Sequence, residues 1–192
     1  MGKTLYLECE SGISGDMTVA ALLDLGADQQ VLKKALASLP VQGFDIRISR
    51  VKKSGLDACD FDVVLDKEHE NHDHDMEYLH GHTHATEHMH GHDVHNHDAE
   101  YIHEHRSFVD ILQIIESSSL TERAKKTATD IFSVLADAEA KAHGVPRNQV
   151  YFHEVGAVDS IVDILSVAVC LDNLDIDQVI VCLLYTSPSP RD

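Results

Sequence analysis

Thirteen of the fifteen histidines in this 192-residue chain fall between His69 and His105. The stretch HENHDHDMEYLHGHTHATEHMHGHDVHNHDAEYIHEH is acidic, keeps no hydrophobic period and has almost no bulky aliphatics. It buries too little apolar surface to offset the entropy of ordering it, so without metal it is expected to be a disordered insertion. Any packed core must therefore come from residues 1–65 and 106–181, joined across a 66–105 insertion.

Composition narrows the partners. Lys plus Arg is 15 and Asp plus Glu is 33, a formal net charge of −18. That balance argues against nucleic acid, whose phosphates call for a basic surplus. No apolar run is long enough to span a bilayer, and MGKTLYLECE has no apolar run of signal-peptide length. Cys9, Cys59, Cys170 and Cys182 stand singly, which suggests neither a disulfide framework nor a thiolate zinc site. The expectation is a cytoplasmic protein with no membrane or nucleic-acid partner.

The amino-terminal part, 1–65, reads as an α/β unit. Thr4–Cys9 alternates as a strand, with Leu5, Leu7 and Cys9 on one face and Tyr6 on the other. A small-residue turn, Ser11-Gly12-Ile13-Ser14-Gly15-Asp16, leads into a helix. There Met17, Ala20, Ala21 and Leu25 take helical spacing, Met17 reads as core, Asp16 is the natural cap and Gly26 is the stop. A second helix is expected from Asp28 to Leu39. Phe44–Val51 and Leu56–Leu65 alternate around Ser54-Gly55, an antiparallel hairpin against the helices.

After the insertion, Ser107 caps a helix from Phe108, and Leu120–His143 carries Ala124, Ala128, Ile131, Phe132, Leu135 and Ala138 at three-and-four spacing until Gly144 and Pro146 end it. A strand or turn over Tyr151–Gly156 enters a third helix, about Val158–Leu174. Gln178–Val181 starts a strand with no evident partner. CLLYTSPSPRD, residues 182–192, shows neither period and reads as translated sequencing adapter, which would make the chain a fragment of a longer protein. The fold class is α+β (mixed α/β), with one small sheet holding the first strand and the hairpin under the helices.

Three segments carry chemistry. His72, His74, His80, His82, His84, His88, His90, His92, His95, His97, His103 and His105 repeat an H-x-H step, and imidazole suits Ni, Zn, Cu and Co. Overlapping flexible donors favour capture and release of an ion over permanent burial; the plainer alternative is a solvated acidic linker. The turn of Ser11, Gly12, Ser14 and Gly15 could offer backbone amides to an anion, but it lacks the P-loop lysine and the dinucleotide-fold glycine spacing, so a tight turn is the simpler account. His153, Glu154, Asp159 and Asp163 sit at a helix start. Asp159 and Asp163 are four apart on one face, where two acids repel unless a cation or donor lies between them. With Asp16 they form a candidate metal or acid/base group; the alternative is acids favoured by the helix dipole on a solvated face.

LECESGISGDMTVAALLDLGA, the histidine insertion and YFHEVGAVDSIVDILSVAVCLD together resemble the LarC family of nickel-insertion proteins, over Met1 to about Val181. The resemblance implies CTP-dependent insertion of Ni²⁺ into pyridinium-3,5-bisthiocarboxylic acid mononucleotide, forming one nickel–carbon and two nickel–sulfur bonds. It also implies a carboxy-terminal region for CTP and a divalent cation such as Mn²⁺ or Mg²⁺. The product serves lactate racemase, whose apoenzyme is an implied partner. Gly12–Asp16 and the HEVGAVDSIVD segment would lie at the functional surface. Two other classes stay open: a non-enzymatic histidine-rich nickel or zinc store or metallochaperone, and a phosphatase-like enzyme using the SGISGD turn.

Overall fold

The computed structural model describes residues 2–9, 12–66, 106–152 and 156–182. In chain order the elements are β1 (Lys3–Leu7), α1 (Gly15–Asp24), α2 (Gln29–Leu36), β2 (Phe44–Lys53), β3 (Leu56–Leu65), β4 (Arg106–Ser107), α3 (Phe108–Ser117), α4 (Glu122–His143), β5 (Tyr151–Phe152), α5 (Val158–Asn173) and β6 (Ile176–Val181), with a single 3₁₀ turn at Arg147–Gln149. The mixed α/β class expected from sequence is the one observed. The expected insertion between 67 and 105 lies outside the described residues, as do residues 183–192.

The axis of the fold is α5. Val158, Ile161, Val162, Leu165, Ala168, Val169 and Cys170 are all buried, so the helix is apolar on several sides and must be enclosed. Helices α1, α2 and α4 and strand β3 pack around it. Phe132 of α4 and Phe152 of β5 are fully buried side by side, ring centroids 6.2 Å apart, and Phe108 meets Phe152 edge-on at 6.5 Å. Aromatic pairs in these orientations add modestly to the area they bury.

Local sequence explains most of the elements. Ser107 accepts from the Asp110 amide while the Asp110 carboxylate accepts from the Ser107 amide, a reciprocal capping box for α3. Thr121 caps α4, and Gly144 ends it in the left-handed region at φ 67°. Asp28 caps α2 by accepting from the Gln30 amide at 2.7 Å. The hairpin pairs without a slip from Phe44↔Leu65 to Lys53↔Leu56. Its turn, Ser54 and Gly55, has φ of 52° and 83°, the two positive values that match strand twist in a two-residue hairpin.

The hairpin's inner row runs Phe44, Ile46 and Ile48 opposite Leu65, Val63 and Phe61, and then reaches Arg50 opposite Cys59. There Asp24, the last residue of α1, closes the row. Its carboxylate accepts the Cys59 amide at 2.8 Å and pairs with Arg50, which also bonds Asp57 at 2.6 Å. The Cys59 amide first, and then Arg50, hold the Asp24 carboxyl below its ordinary range.

Four expectations need correction. The first strand and the hairpin do not share a sheet; the strands form three separate pairs, β1–β6 parallel, β2–β3 antiparallel and β4–β5 antiparallel. The strand at Gln178–Val181 has a partner after all: it begins at Ile176 and pairs with β1. Helix α1 buries Val19, Ala20, Leu22 and Leu23, leaving Met17 and Leu25 exposed; nearly every position from 17 to 25 is apolar, so spacing alone could not select the buried side. Helix α2 stops at Leu36, and residues 37–39 form a turn.

Asp24→Ala should release the hairpin from α1. Hydrogen exchange of the Cys59 amide is expected to accelerate by about tenfold or more while the Ala128 amide in α4 keeps its protection. Unchanged exchange at Cys59 would show that the hairpin is held by packing alone.

Candidate functional site

The amino ends of α1 and α5 meet. Between β1 and α1 the chain turns through Gly12, whose φ of 88° lies in the region only glycine adopts without strain. The Gly12 amide donates to the Cys9 carbonyl at 3.0 Å. A Cβ on Gly15 would lie 2.7 Å from Asp163 Cβ and 2.8 Å from its Cγ. Glycine is therefore required here by close approach: the α1 backbone rests directly on the Asp163 side chain.

Asp16 is not the cap of α1. Ser14 takes that position with extended backbone and no side-chain cap bond, and Asp16 lies in the first turn. The Ser14 hydroxyl donates to the Asp16 carboxylate instead. The amide that a cap would have satisfied, that of Asp16, is directed at the Asp163 carboxylate. Thus α5 supplies from outside the acceptor that the Ser14 side chain does not provide, at a helix amino terminus that favours negative charge.

Asp159 and Asp163 lie one turn apart on α5, half-buried, with Asp16 close enough to act on Asp163. Burial first, then the neighbouring Asp16 and Asp159 charges, push the Asp163 carboxyl up to about 7, against the opposing pull of the Asp16 amide. Among the described residues, Oδ1 of Asp159 and Oδ1 of Asp163 are buried with no hydrogen-bond partner. Buried carboxylate oxygens left without a partner call for a proton or a cation. Among the described residues no group of three or more His, Cys, Asp and Glu side chains is arranged to hold a metal ion. What the site provides is a carboxyl that exchanges a proton near neutrality beside two further acids.

The remaining candidates divide cleanly. Gly12, Ser14 and Gly15 are at the α1 turn; Ser11, His153 and Glu154 lie outside the described residues, as do all thirteen histidines of the tract. The flanks of 153–155 are nevertheless fixed. Phe152 and Gly156 lie against each other, since a Cβ on Gly156 would come within 2.7 Å of the Phe152 carbonyl oxygen. Arg106 pairs with Phe152 across β4–β5, and its guanidinium donates to the Gly156 carbonyl at 3.0 Å. The chain downstream of the histidine tract is thereby fastened to both flanks of His153 and Glu154. Spacing had suggested neither this fastening nor the Gly15–Asp163 contact, because both join distant segments; the only local hint was a glycine one residue inside a helix.

Two outcomes follow. Gly15→Ala should force α1 away from Asp163 and destabilise the fold by about 1–3 kcal/mol, as overpacking does, read from chemical denaturation. Because the folded pKa of Asp163 exceeds its ordinary value of 3.8, the folded state holds the extra proton and stability falls as pH rises from about 4 through about 7. Asp163→Asn should then raise the melting temperature at pH 8 and leave it nearly unchanged at pH 4.5; equal effects at both would exclude the buried-acid account.

The family model described as nickel insertion protein matches residues 5–188. A pyridinium-3,5-bisthiocarboxylic acid mononucleotide nickel insertion protein of Alkaliphilus metalliredigens is 54% identical over 185 residues, 96% of this chain and 40% of the relative. Proteins of the same name from Clostridium acetobutylicum and Geobacillus kaustophilus are 46% and 40% identical, each over 93% of this chain and 42% and 38% of their own lengths. The chain thus spans about two-fifths of the relatives it matches. No solved structure matches it. With the family model covering nearly all of its length, the chain belongs to the nickel insertion protein family.

Proposed function

We propose that this chain acts in the insertion of Ni²⁺ into pyridinium-3,5-bisthiocarboxylic acid mononucleotide, the reaction named for its relatives. Nickel is the cargo. The imidazoles of His72 to His105 collect it, because neutral histidine binds such ions well and many neighbouring donors exchange them readily. The second stage uses His153, Glu154 and Asp159 to receive the ion, with Asp16 and Asp163 as the further acids of the group. The observation that carries this reading is the fastening of Arg106 to Phe152 and Gly156, which brings the root of the histidine tract to the flanks of His153 and Glu154.

Insertion breaks a ring carbon–hydrogen bond as the nickel–carbon bond forms, so a proton must leave. Asp163, near neutrality in its proton affinity, accepts it or passes it to Asp159 in this reading, a role that needs an acid matched to the working pH. The substrate's two thiocarboxylates then displace protein ligands from nickel. CTP, with Mn²⁺ or Mg²⁺, would act through other parts of a family-length protein, the product would pass to the lactate racemase apoenzyme, and the setting would be the cytoplasm. Among the described residues no helix is long and apolar enough to cross a membrane.

Nickel titration of the intact chain against one lacking residues 66–105 tests the collecting step. The deletion is expected to remove most bound equivalents, and binding to the intact chain should weaken as pH falls through about 6.5, where free imidazole protonates. Equal stoichiometry and affinity in both would end the collecting role. In a family-length protein carrying this segment, Asp163→Asn should slow cofactor formation by on the order of 100-fold with nickel stoichiometry unchanged. Nickel uptake with no cofactor formation in the unaltered protein would instead favour storage.

A further inference from the structure

Strands β1 and β6 form an isolated parallel pair, and that is an unusual thing to leave in water. Parallel sheets occur almost only with both faces covered, and two strands alone are not stable. Here Tyr6 is 57% exposed, and Val179, Ile180 and Val181 are 42%, 43% and 49% exposed. Successive residues of a strand face opposite sides, so three adjacent exposed apolar residues mean that β6 is open on both faces. Only Leu5 and Ile176 of the pair reach the core.

The backbone is open as well. The Cys182 amide donates to the Leu7 carbonyl at 2.9 Å. Amides alternate in direction along a strand, so that of Ile180 also points to β1, while those of Val179 and Val181 point to the far edge. Among the described residues no strand pairs with that edge. An uncovered edge flanked by valine and isoleucine is a template for another strand.

We infer that the far edge of β6 is the docking edge for a further strand from the part of the family protein outside the matched region, so that β1 and β6 are interior strands of a larger parallel sheet. The occupant is chosen on size and chemistry. The matched region makes up only 40% of the Alkaliphilus relative, so that protein has ample chain to supply a strand and the helices that cover a parallel sheet. The exposed triplet is uncharged and apolar, which suits burial within one protein better than a polar or charged ligand. This inference is independent of nickel chemistry.

Hydrogen exchange read amide by amide tests it. Residues 1–182 are grafted in place of the matched part of the Alkaliphilus relative and compared with the chain alone. In the chain alone, Val179 and Val181 amides are expected to exchange at least about tenfold faster than those of Ile180 and Cys182; in the grafted protein they should slow to match them. Ile180→Lys in the grafted protein should return Val179 and Val181 to fast exchange while Leu165 in α5 stays protected. Should grafting disturb folding, the unaltered relative serves, its strand corresponding to β6 being expected to show protection at every amide. Fast exchange at the far-edge positions of both family-length proteins overturns the inference. So does protection in the chain alone that grows with protein concentration, which would give the edge to a second copy.

Discussion

The contact of the Gly15 backbone with Asp163 sets the electrostatics of the candidate site. Absence of a side chain at one position lets two helix ends approach, and that approach takes a carboxyl group out of water. Burial and two neighbouring acids then push its carboxyl up to about 7, while the Asp16 amide limits the rise. Steric, electrostatic and chemical properties thus follow from one another at one point.

Elsewhere in the fold, arginines tie acidic residues of different elements together. Arg123 at the start of α4 bonds Asp175 at 3.0 Å, Asp177 at 2.6 Å and the Ile176 carbonyl at 2.6 Å. This gathers the turn between α5 and β6, where Asp175 adopts a left-handed φ of 59°. Exposed pairs of this kind add little to stability singly; their effect is to fix a sharp turn that aims β6 alongside β1. Arg50 does the same service at the other end of α1, between Asp24 and Asp57. Arg147 pairs with Asp137 while lying 5.9 Å over the Phe108 ring.

What could be read from sequence was local. The hairpin register followed from alternation around Ser54-Gly55, the start of α3 from its Ser107 cap, and the end of α4 from Gly144. Pairings between distant segments were out of reach: β1 meets β6 across almost the whole chain, and a strand of six residues carries no signal naming its partner. At the candidate site the residue types were legible, because two acids four apart on an amphipathic helix are conspicuous. Their neighbour Asp16 was read as a cap, since local rules assign a first-turn acid to its own helix; the competing anion came from α5. The buried face of α1 was misjudged for a related reason, as a helix apolar nearly all round takes its orientation from what surrounds it.

The two-residue clip between Arg106 and Phe152 has an evolutionary corollary. It isolates the body of the domain from whatever length of chain separates Asp66 from Arg106, since both of those residues are already tied down, the former by its amide to the Gly43 carbonyl. Closing a loop becomes only slightly harder as it grows, by about 0.6 kcal/mol for each doubling. Residues could therefore be gained or lost between Asp66 and Arg106 at almost no cost to folding, letting a lineage rewrite that stretch without touching a single core residue.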